Sequence, residues 1–283
     1  MARATIPADD LQISHADLRD IAALVYEESG IAIGDGKEAF VVARLHRRLR
    51  ALALPSYHAY LQYVRRDPTG DELVHLIDAI ATNHTAFFRE PEHFDFLRDE
   101  VVPAWRAIKK IEPFDVWCFP CATGEEAVSL TITLLEAFPD AEHHRVDVLA
   151  CDLSTKALRI AEQGVYGLSR VRAVPGAALK KYFERGTGAQ AGLARVGSAV
   201  RARVTYARAN LLEVTDAGRR FDVIFCRNVL IYFDQEARQR AVSMLERHLS
   251  PGGHLFIGSA ESLSGLSHGL TRVAPAVFVR GGA

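Results

Sequence analysis

The 34 lysines and arginines are nearly cancelled by 35 aspartates and glutamates, so the chain lacks a sizeable excess of either charge. A dedicated nucleic-acid binder carries a marked basic surplus, and its absence speaks against that class. No apolar run is long enough to span a bilayer, which argues against direct membrane insertion. The opening residues, Met1-Ala2-Arg3-Ala4-Thr5-Ile6-Pro7, lack the apolar core of a signal peptide. Four cysteines in 283 residues are too few for a secreted disulfide framework. Internal repeats and low-complexity tracts are missing as well. These absences leave a cytoplasmic protein of ordinary globular composition, 49% hydrophobic and 24% charged. Its length exceeds the usual single-domain size, so one large or two unequal domains are expected.

What is present begins with helices. From Ser14 to about Ile80 apolar residues recur at helical spacing. Leu18, Ile21, Leu24 and Val25 share a face, with Gly30 following as a C-terminal cap. A second stripe, Leu45, Leu49 and Leu52, stops before Pro55. Tyr57, Tyr60, Leu61 and Val64 follow a Ser56 cap. Thr69 and Glu72 stand at capping-box spacing ahead of Leu73, Leu76, Ile77 and Ile80.

After Glu112 short β-rich runs alternate with helical ones: Phe114 to Cys118, Glu125 to Phe138, Val146 to Cys151 and Thr155 to Gln163. Arg203 to Tyr206, Phe221 to Cys226, Glu236 to Leu249 and His254 to Ile257 continue the series, with Pro251-Gly252-Gly253 as the turn into the last of them. Alternation of this kind means βαβ units and a parallel sheet. The interval from Gly164 to Val200 is too long for a loop. Ala177 to Glu184 suits a short helix, and Gly186-Thr187-Gly188 with Gly192 punctuates a small antiparallel hairpin.

In an open parallel sheet, ligands bind beyond the carboxyl ends of the strands where strand order reverses. The loop after Cys118 should line that crevice, yet it keeps only Gly124, with Pro120 and Ala122 where glycines often sit. Asp152 ends the second strand, where an acid either accepts ribose hydroxyls or caps the next helix; Ser154 is also available as the cap. Glu125 can serve simply as an acid at a helix N-terminus. Cys118, Cys121, Cys151 and Cys226 could approach one rim of the sheet. Their spacing does not repeat and no histidine completes a zinc knuckle, so small strand-end residues are the better account than metal ligands.

Three segments read as parts of one site: Thr82-Asn83-His84-Thr85-Ala86-Phe87-Phe88-Arg89-Glu90, Cys121-Ala122-Thr123-Gly124-Glu125-Glu126, and the stretch from Phe221-Asp222-Val223 through Cys226-Arg227-Asn228 to Tyr232-Phe233. Together they resemble the chemotaxis receptor methyltransferases, the CheR family, from about the end of the first helical region to the C-terminus. The resemblance implies an α/β fold: a Rossmann-like class I methyltransferase sheet with a small N-terminal all-helical domain and a small antiparallel β-subdomain insertion. Residues 1–80 would be the helical domain, 81–112 a linker and lid entering the cofactor site, and 113–283 the methyltransferase domain, with the insertion at about 164–202. Ala276 to Arg280 would form a final antiparallel edge strand.

The same resemblance implies S-adenosylmethionine as cofactor, S-adenosylhomocysteine as product and no metal. Asn83, Thr85, Arg89, Ala122, Glu126, Asp152, Asn210, Leu211, Arg227 and Asn228 match cofactor positions: Glu126 for the methionine end, Asp152 for the ribose, Asn210 and Leu211 for the adenine. The acceptor would be a glutamate on the cytoplasmic helices of chemoreceptors. A carboxylate is already ionised at neutral pH, so no general base is required. Arg89 and Tyr232 are the catalytic candidates, Arg89 to orient the acceptor or the cofactor, Tyr232 to donate a hydrogen bond or to pack. Arg44, Arg47 and Arg48 form a basic helical face, either solvated or complementary to a glutamate-bearing helix. Gly186-Thr187-Gly188 resembles members that dock a receptor C-terminal tether. Ala127-Val128, where the family more often has Pro-Tyr, and the loop around Pro120 depart from the pattern. The alternatives are a methyltransferase for another acceptor class and a non-catalytic S-adenosylmethionine-binding regulator.

Overall fold

A computed structural model describes residues 12–34, 36–108, 113–138, 146–214 and 217–282. The opening Met1 to Pro7 segment and Glu112, both used above, lie outside the described residues. The chain divides into two units, Met1–Thr82 with Tyr232–Asp234, and Asn83–Ile231 with Gln235–Ala283.

The first unit is helical. Helix α1 (His15–Ser29) starts at Ser14, whose Oγ accepts the Asp17 N–H at 3.0 Å, and ends at Gly30 with φ 71°. It buries Leu18, Ile21 and Val25, while Leu24 is half-buried at the side of the stripe. Helix α2 (Glu38–Ala51) buries Val41, Leu45 and Leu49, and Leu52 caps it half-buried. Helix α3 (Tyr57–Arg66) buries Tyr57, Tyr60, Leu61 and Val64 behind the Ser56 cap.

Helix α4 (Asp71–Ile80) departs from the expected capping box. The Glu72 N–H donates to Asp67 Oδ2 at 2.8 Å, and Thr69 Oγ1 accepts from the Asp71 N–H instead. The Glu72 side chain turns inward, 3% exposed, and its two oxygens take the guanidinium of Arg48, with Nε to Oε1 at 2.6 Å. A carboxylate buried that deeply needs a cation, and α2 supplies one across the helix pair. Arg48 is thereby drawn out of the expected basic face, which narrows to the exposed Arg44 and Arg47. Leu76, Ile77 and Ile80 are buried as expected, but Leu73 only half so.

The second unit opens with α5 (Pro91–Phe96), a π-helical turn at Leu97–Val101 and α6 (Val102–Ile108). Then come β1 (Phe114–Cys118), α7 (Glu125–Ala137), β2 (Val146–Asp152), α8 (Thr155–Gln163), β3 (Val165–Gly167), α9 (Gly176–Tyr182), β4 (Phe183–Arg185), β5 (Leu193–Val196), α10 (Ser198–Arg201) and β6 (Val204–Arg208). Strand β7 (Phe221–Phe225), α11 (Gln235–His248), β8 (Leu249–Phe256), β9 (Leu270–Ala274) and β10 (Val277–Arg280) complete it. The large sheet runs β6-β2-β1-β7-β8-β10-β9. Its first five strands are parallel and the last two pairings antiparallel. A separate antiparallel sheet, β3-β5-β4, fills the long interval after Gly164.

Three expectations are corrected. The Val277–Arg280 strand is not the edge: it is inserted between β8 and β9, and Leu270–Ala274 forms the edge. That edge strand buries only Leu270 and exposes Thr271, Arg272 and Val273, so it carries almost no apolar signal. Pro251-Gly252-Gly253 lies within β8, where pairing steps from Phe221↔Leu249 to Val223↔His254. A Cβ on Gly253 would come within 2.8 Å of the Ser250 carbonyl, so the irregularity requires glycine. The helix expected through Glu184 ends at Tyr182, because Phe183–Arg185 pairs with β5.

Phe114, Val116, Val148, Val223, Phe225 and Phe256 form the heart of the main core, with Phe225 and Phe256 stacked at 4.4 Å. A second cluster, including Phe87, Val128, Tyr166 and Val196, fastens the small sheet to α7. No helix among the described residues is long and apolar enough to cross a membrane.

The buried carboxylate generates a prediction. Arg48→Ala should destabilise the protein by about 3–5 kcal/mol, the cost of stranding a buried charge, whereas Arg44→Ala and Arg47→Ala should stay within about 0.5 kcal/mol. Urea unfolding of the three variants checks this; equal midpoints would show the Arg48–Glu72 pair to be dispensable.

Candidate functional site

Strand order reverses between β1 and β7: from β1 the chain steps outward to β2 and β6, from β7 outward to β8. The carboxyl ends of these strands therefore open the crevice in which doubly wound folds bind ligands. Their loops are stitched together by the backbone. The Phe119 N–H donates to Phe225 O at 2.9 Å, the Cys121 N–H to Cys151 O at 2.7 Å, and the Ala209 N–H to Asp152 O at 3.1 Å.

The β1 loop reaches the crevice with one glycine. Gly124 has φ 93°, and a Cβ there would lie 2.7 Å from Ala161 Cβ and 2.9 Å from Tyr166 Oη. Ala122 takes a left-handed φ of 47° without being glycine, and its N–H donates to Asp152 Oδ2 at 2.7 Å. That bond holds the turn. Asp152 is buried, and Oδ1 accepts the Ser154 N–H at 2.8 Å. The cap of α8 is Ser154, whose Oγ accepts the Ala157 N–H at 3.1 Å and Asn83 Nδ2 at 3.2 Å. Asp152 instead welds the β1 loop to the end of β2. At the end of β6, Asn210 Oδ1 accepts the Leu212 N–H at 3.0 Å in a local turn, and Leu211 is buried beside it.

The two acids at the start of α7 have different partners. Glu125, fully buried, accepts from Thr123 Oγ1 at 2.7 Å and pairs with Arg170 of the small-sheet region. Burial pushes its pKa up, against the opposing pull of Thr123 and Arg170. Glu126 faces the β7 end: Oε1 accepts from Cys118 Sγ at 3.6 Å, and Oε2 lies 3.5 Å from Arg227 Nη1. Burial raises its pKa too, with Arg227 pulling down.

Arg227 is the buried charge at the centre. Its side chain is fully covered, Nη2 donates to the Arg89 carbonyl at 2.6 Å, and Nη2 lies 3.3 Å from Glu90 Oε2. The guanidinium sits over Phe94 and Phe225, at 5.7 and 5.6 Å from the ring centroids. Nε and Nη1 have no hydrogen-bond partner among the described residues.

Asn228, next along, has a left-handed φ of 59°. Its N–H donates to Glu261 Oε2 at 2.9 Å, an oxygen that also takes the Gly258 N–H, while its Nδ2 donates to Glu90 Oε1 at 3.3 Å. Glu90, Glu261 and Arg170 were not singled out from the sequence as site residues. For Glu90 the sequence offers only an acid directly before Pro91, the first residue of α5; that its side chain does not cap the helix is visible only in the fold. For Glu261 no local pattern marked a carboxylate that bonds the loop amides of Asn228, Ile231 and Gly258.

The entering segment packs Phe87 against Tyr166 at 5.0 Å and Phe88 against Phe94 at 5.3 Å. Phe88 takes φ 51°, and its N–H donates to Ser129 Oγ at 3.0 Å. Beside these rings Arg89 keeps a partly exposed side chain, with Nη1 donating to His84 O at 3.3 Å, and Thr85 is half-buried. Within the second unit the contacts join these residues in two groups: Asn83, Ala122 and Asp152 through Ser154, and Arg89, Glu126, Arg227 and Asn228 through the Arg227 guanidinium and Glu90. Tyr232 groups with the helical unit, its carbonyl accepting the Ala32 N–H at 3.0 Å, as do Arg44, Arg47 and Arg48.

All four cysteines are buried free thiols, and burial pushes Cys118, Cys121 and Cys226 well above the usual range. Trp117 Nε1 donates to Cys151 Sγ at 3.3 Å. Among the described residues, no three His, Cys, Asp or Glu side chains gather as metal ligands.

A mostly parallel sheet with its crevice at the order reversal, an acid at the end of β2 and a small antiparallel sheet after α8 define a Rossmann-like, doubly wound α/β protein. The family model of the CheR methyltransferase SAM binding domain matches residues 83–277, and that of the CheR methyltransferase all-alpha domain matches residues 16–81. The chain belongs to the CheR methyltransferase family. Chemotaxis protein methyltransferase 2 of Pseudomonas aeruginosa is 37% identical over 271 residues, spanning 95% of this chain and 94% of that protein. The chemotaxis protein methyltransferases of Salmonella typhimurium and Escherichia coli are 38% and 37% identical, spanning 90% and 95% of this chain and 87% and 92% of theirs.

One buried histidine beneath the Arg227 cluster gives a pH prediction. His93 is 2% exposed, 5.7 Å from the Phe256 ring and 3.5 Å from Glu90 Oε2. Burial and then Arg227 hold its pKa below the ordinary value, with Glu90 pulling the other way. Below an unfolded-state pKa of about 6.5 the unfolded chain then binds more protons than the native one, so stability falls as pH drops. Wild type should lose unfolding midpoint relative to His93→Gln between about pH 7 and pH 5. A pH-independent difference between the two would mean that His93 is not held neutral.

Proposed function

We propose that the protein transfers the methyl group of S-adenosylmethionine to glutamate side-chain carboxylates of chemoreceptor cytoplasmic domains, giving glutamyl methyl esters for sensory adaptation. The observation that carries this reading is the tandem match of both CheR domains, supported by Glu126, Asp152 and Asn228 lying at or just after the carboxyl ends of β1, β2 and β7. The residues suit the cofactor's chemistry. Its amino-acid end is a zwitterion, and the buried Arg227, with Nε and Nη1 lacking hydrogen-bond partners among the described residues, lies against the buried Glu126. Asp152, at the end of β2, is the acceptor for ribose hydroxyls. Asn210 and Leu211 would flank the adenine, and Asn83, Thr85, Arg89 and Ala122 would close over the ligand.

When bound, S-adenosylmethionine supplies an electrophilic methyl carbon on a sulfonium. The acceptor carboxylate is ionised at neutral pH, so no side chain has to remove a proton. The protein's task is alignment and exclusion of water. Arg89, whose Nη1 is tied to His84 O, is the side chain for orienting the acceptor or the cofactor. Tyr232 is the second candidate, as hydrogen-bond donor or packing surface.

Receptor recognition would fall to two surfaces. Arg44 and Arg47 on α2 complement a glutamate-bearing helix. A groove of about 630 Å³ over one face of the small sheet, lined by Glu162, Val165, Arg185, Thr187, Leu193 and Arg195, suits a receptor C-terminal tether. A tether there acts through effective concentration. The relatives named as chemotaxis methyltransferases favour this acceptor over another class and over a non-catalytic regulator.

The test is incubation with methyl-labelled S-adenosylmethionine and receptor cytoplasmic fragments, followed by mild alkali. Base-labile label released as methanol is expected; label stable to alkali, or no transfer, overturns the glutamate reading. In the same assay Arg89→Ala should lower turnover on the order of a hundredfold while leaving the unfolding midpoint unchanged.

A further inference from the structure

Glu90 carries an unusual number of bonds and has no role in the function proposed above. It sits at φ 57°, in the cap position of α5, yet its carboxylate does not cap that helix. Oε2 accepts from both the N–H and the Oγ of Ser259, at 3.0 and 2.9 Å, and lies 3.3 Å from Arg227 Nη2. Oε1 accepts from Asn228 Nδ2 at 3.3 Å. One carboxylate thus joins the entering segment to the loops after β7 and β8.

The consequence for Asn228 is chemical. A side-chain amide offers two edges, an NH2 that donates and an oxygen that accepts, and only the hydrogen-bond network decides which faces where. An ionised carboxylate accepts and cannot donate. Burial raises the Glu90 pKa, but Arg227, Ser259 and Asn228 outweigh it and leave the group below the usual carboxylate range. Glu90 is therefore an anion near neutral pH, and it can be met only by the NH2 edge of Asn228. The main chain of Asn228 is held independently by Glu261, which takes its N–H and that of Gly258. A Cβ on Gly258 would lie 2.5 Å from Asn228 Nδ2, so the amide is also confined sterically.

We infer that Glu90 is a positioning residue: it locks the Asn228 amide with the NH2 inward, leaving Oδ1 as the acceptor turned to a donor group of the ligand, such as an ammonium. The inference rests on the cofactor reading of the crevice. Glu90 touches no ligand itself and acts through Asn228, with Glu261 as the backbone clamp. Replacing the carboxylate by an amide reverses the bias: the Ser259 N–H and Arg227 hold the glutamine oxygen at the Oε2 position, so its NH2 faces Asn228, whose amide then has to turn over.

The test is calorimetric binding of S-adenosylhomocysteine to the full chain in four forms: wild type, Glu90→Gln, Asn228→Asp and the double exchange. Each single variant should lose about tenfold or more in affinity, the scale of one misplaced buried hydrogen bond. Asn228→Asp sets two carboxylates against each other. In the double exchange the amide and the carboxylate trade places, so the NH2 donates in the reverse sense. The net charge beside Arg227 is then unchanged, and an acceptor oxygen still faces the ligand. Affinity should recover to within about threefold of wild type, a rescue that a general packing role would not produce. Wild-type affinity in Glu90→Gln overturns the inference. A double exchange no better than Asn228→Asp overturns it as well, and that comparison holds if Glu90→Gln alone fails to fold. Failure of the wild type to bind brings down the cofactor reading and this inference with it, whereas binding by wild type with no rescue brings down the inference alone.

Discussion

A guanidinium without access to water dominates the second unit. Arg227 is covered on all sides, between two aromatic faces, and such a charge is tolerated only when counter-charges and carbonyls surround it. Glu90 and Glu126 supply the charge and the Arg89 carbonyl supplies the acceptor. These three come from the entering segment and the start of α7, while Arg227 belongs to the end of β7. Satisfying one buried cation therefore brings together three separate parts of the chain at the mouth of the crevice. The left-handed conformations of Phe88, Glu90, Ala122 and Asn228 are strained positions, and each has a hydrogen bond at the same residue that holds it.

Adjacent acids divide the remaining work. On α7, Glu125 and Glu126 are successive residues, so their side chains leave the helix about 100° apart. One turns to Arg170 and ties the small antiparallel region to the β1 loop, with Tyr166 Oη donating to the Thr123 carbonyl at 2.8 Å as a second tie. The other turns to Arg227. The string Thr123-Gly124-Glu125-Glu126 is thus a junction where two carboxylates serve opposite neighbours, and Gly124 between the loop and the helix leaves room for Ala161 and Tyr166. The helical unit uses the same device with Glu72 and Arg48, again at the expense of an arginine that would otherwise face solvent.

Much of the architecture was legible because it follows from periodicity. The apolar stripes of α1 to α3, the Ser56 and Ser154 caps, Gly30, and the alternating strands and helices from Phe114 onward are local patterns, and local patterns survive folding. The family resemblance rested on three short strings for the same reason. Edge strand β9 escaped because a strand with one buried side chain has no period to read. The irregularity inside β8 escaped because a Pro-Gly-Gly run signals a turn equally well between strands or within one.

For the candidate site, residue identity was readable and residue employment was not. That Asp152 ends a strand and that Ser154 is a competent cap are facts of sequence; that Asp152 spends an oxygen on the Ala122 N–H depends on a loop thirty positions away. Arg227 matched a cofactor position by its string, yet its guanidinium is committed to Glu90, Glu126 and Arg89 because burial leaves a cation no alternative. Glu90 and Glu261 become conspicuous only when the loops after β7 and β8 lie side by side. Spacing along the chain suffices for the family, for the order of elements and for the caps at Gly30, Ser56 and Ser154. Which charge answers which is settled by the folded arrangement, because electrostatic pairing acts through space and ignores the distance between residues in sequence.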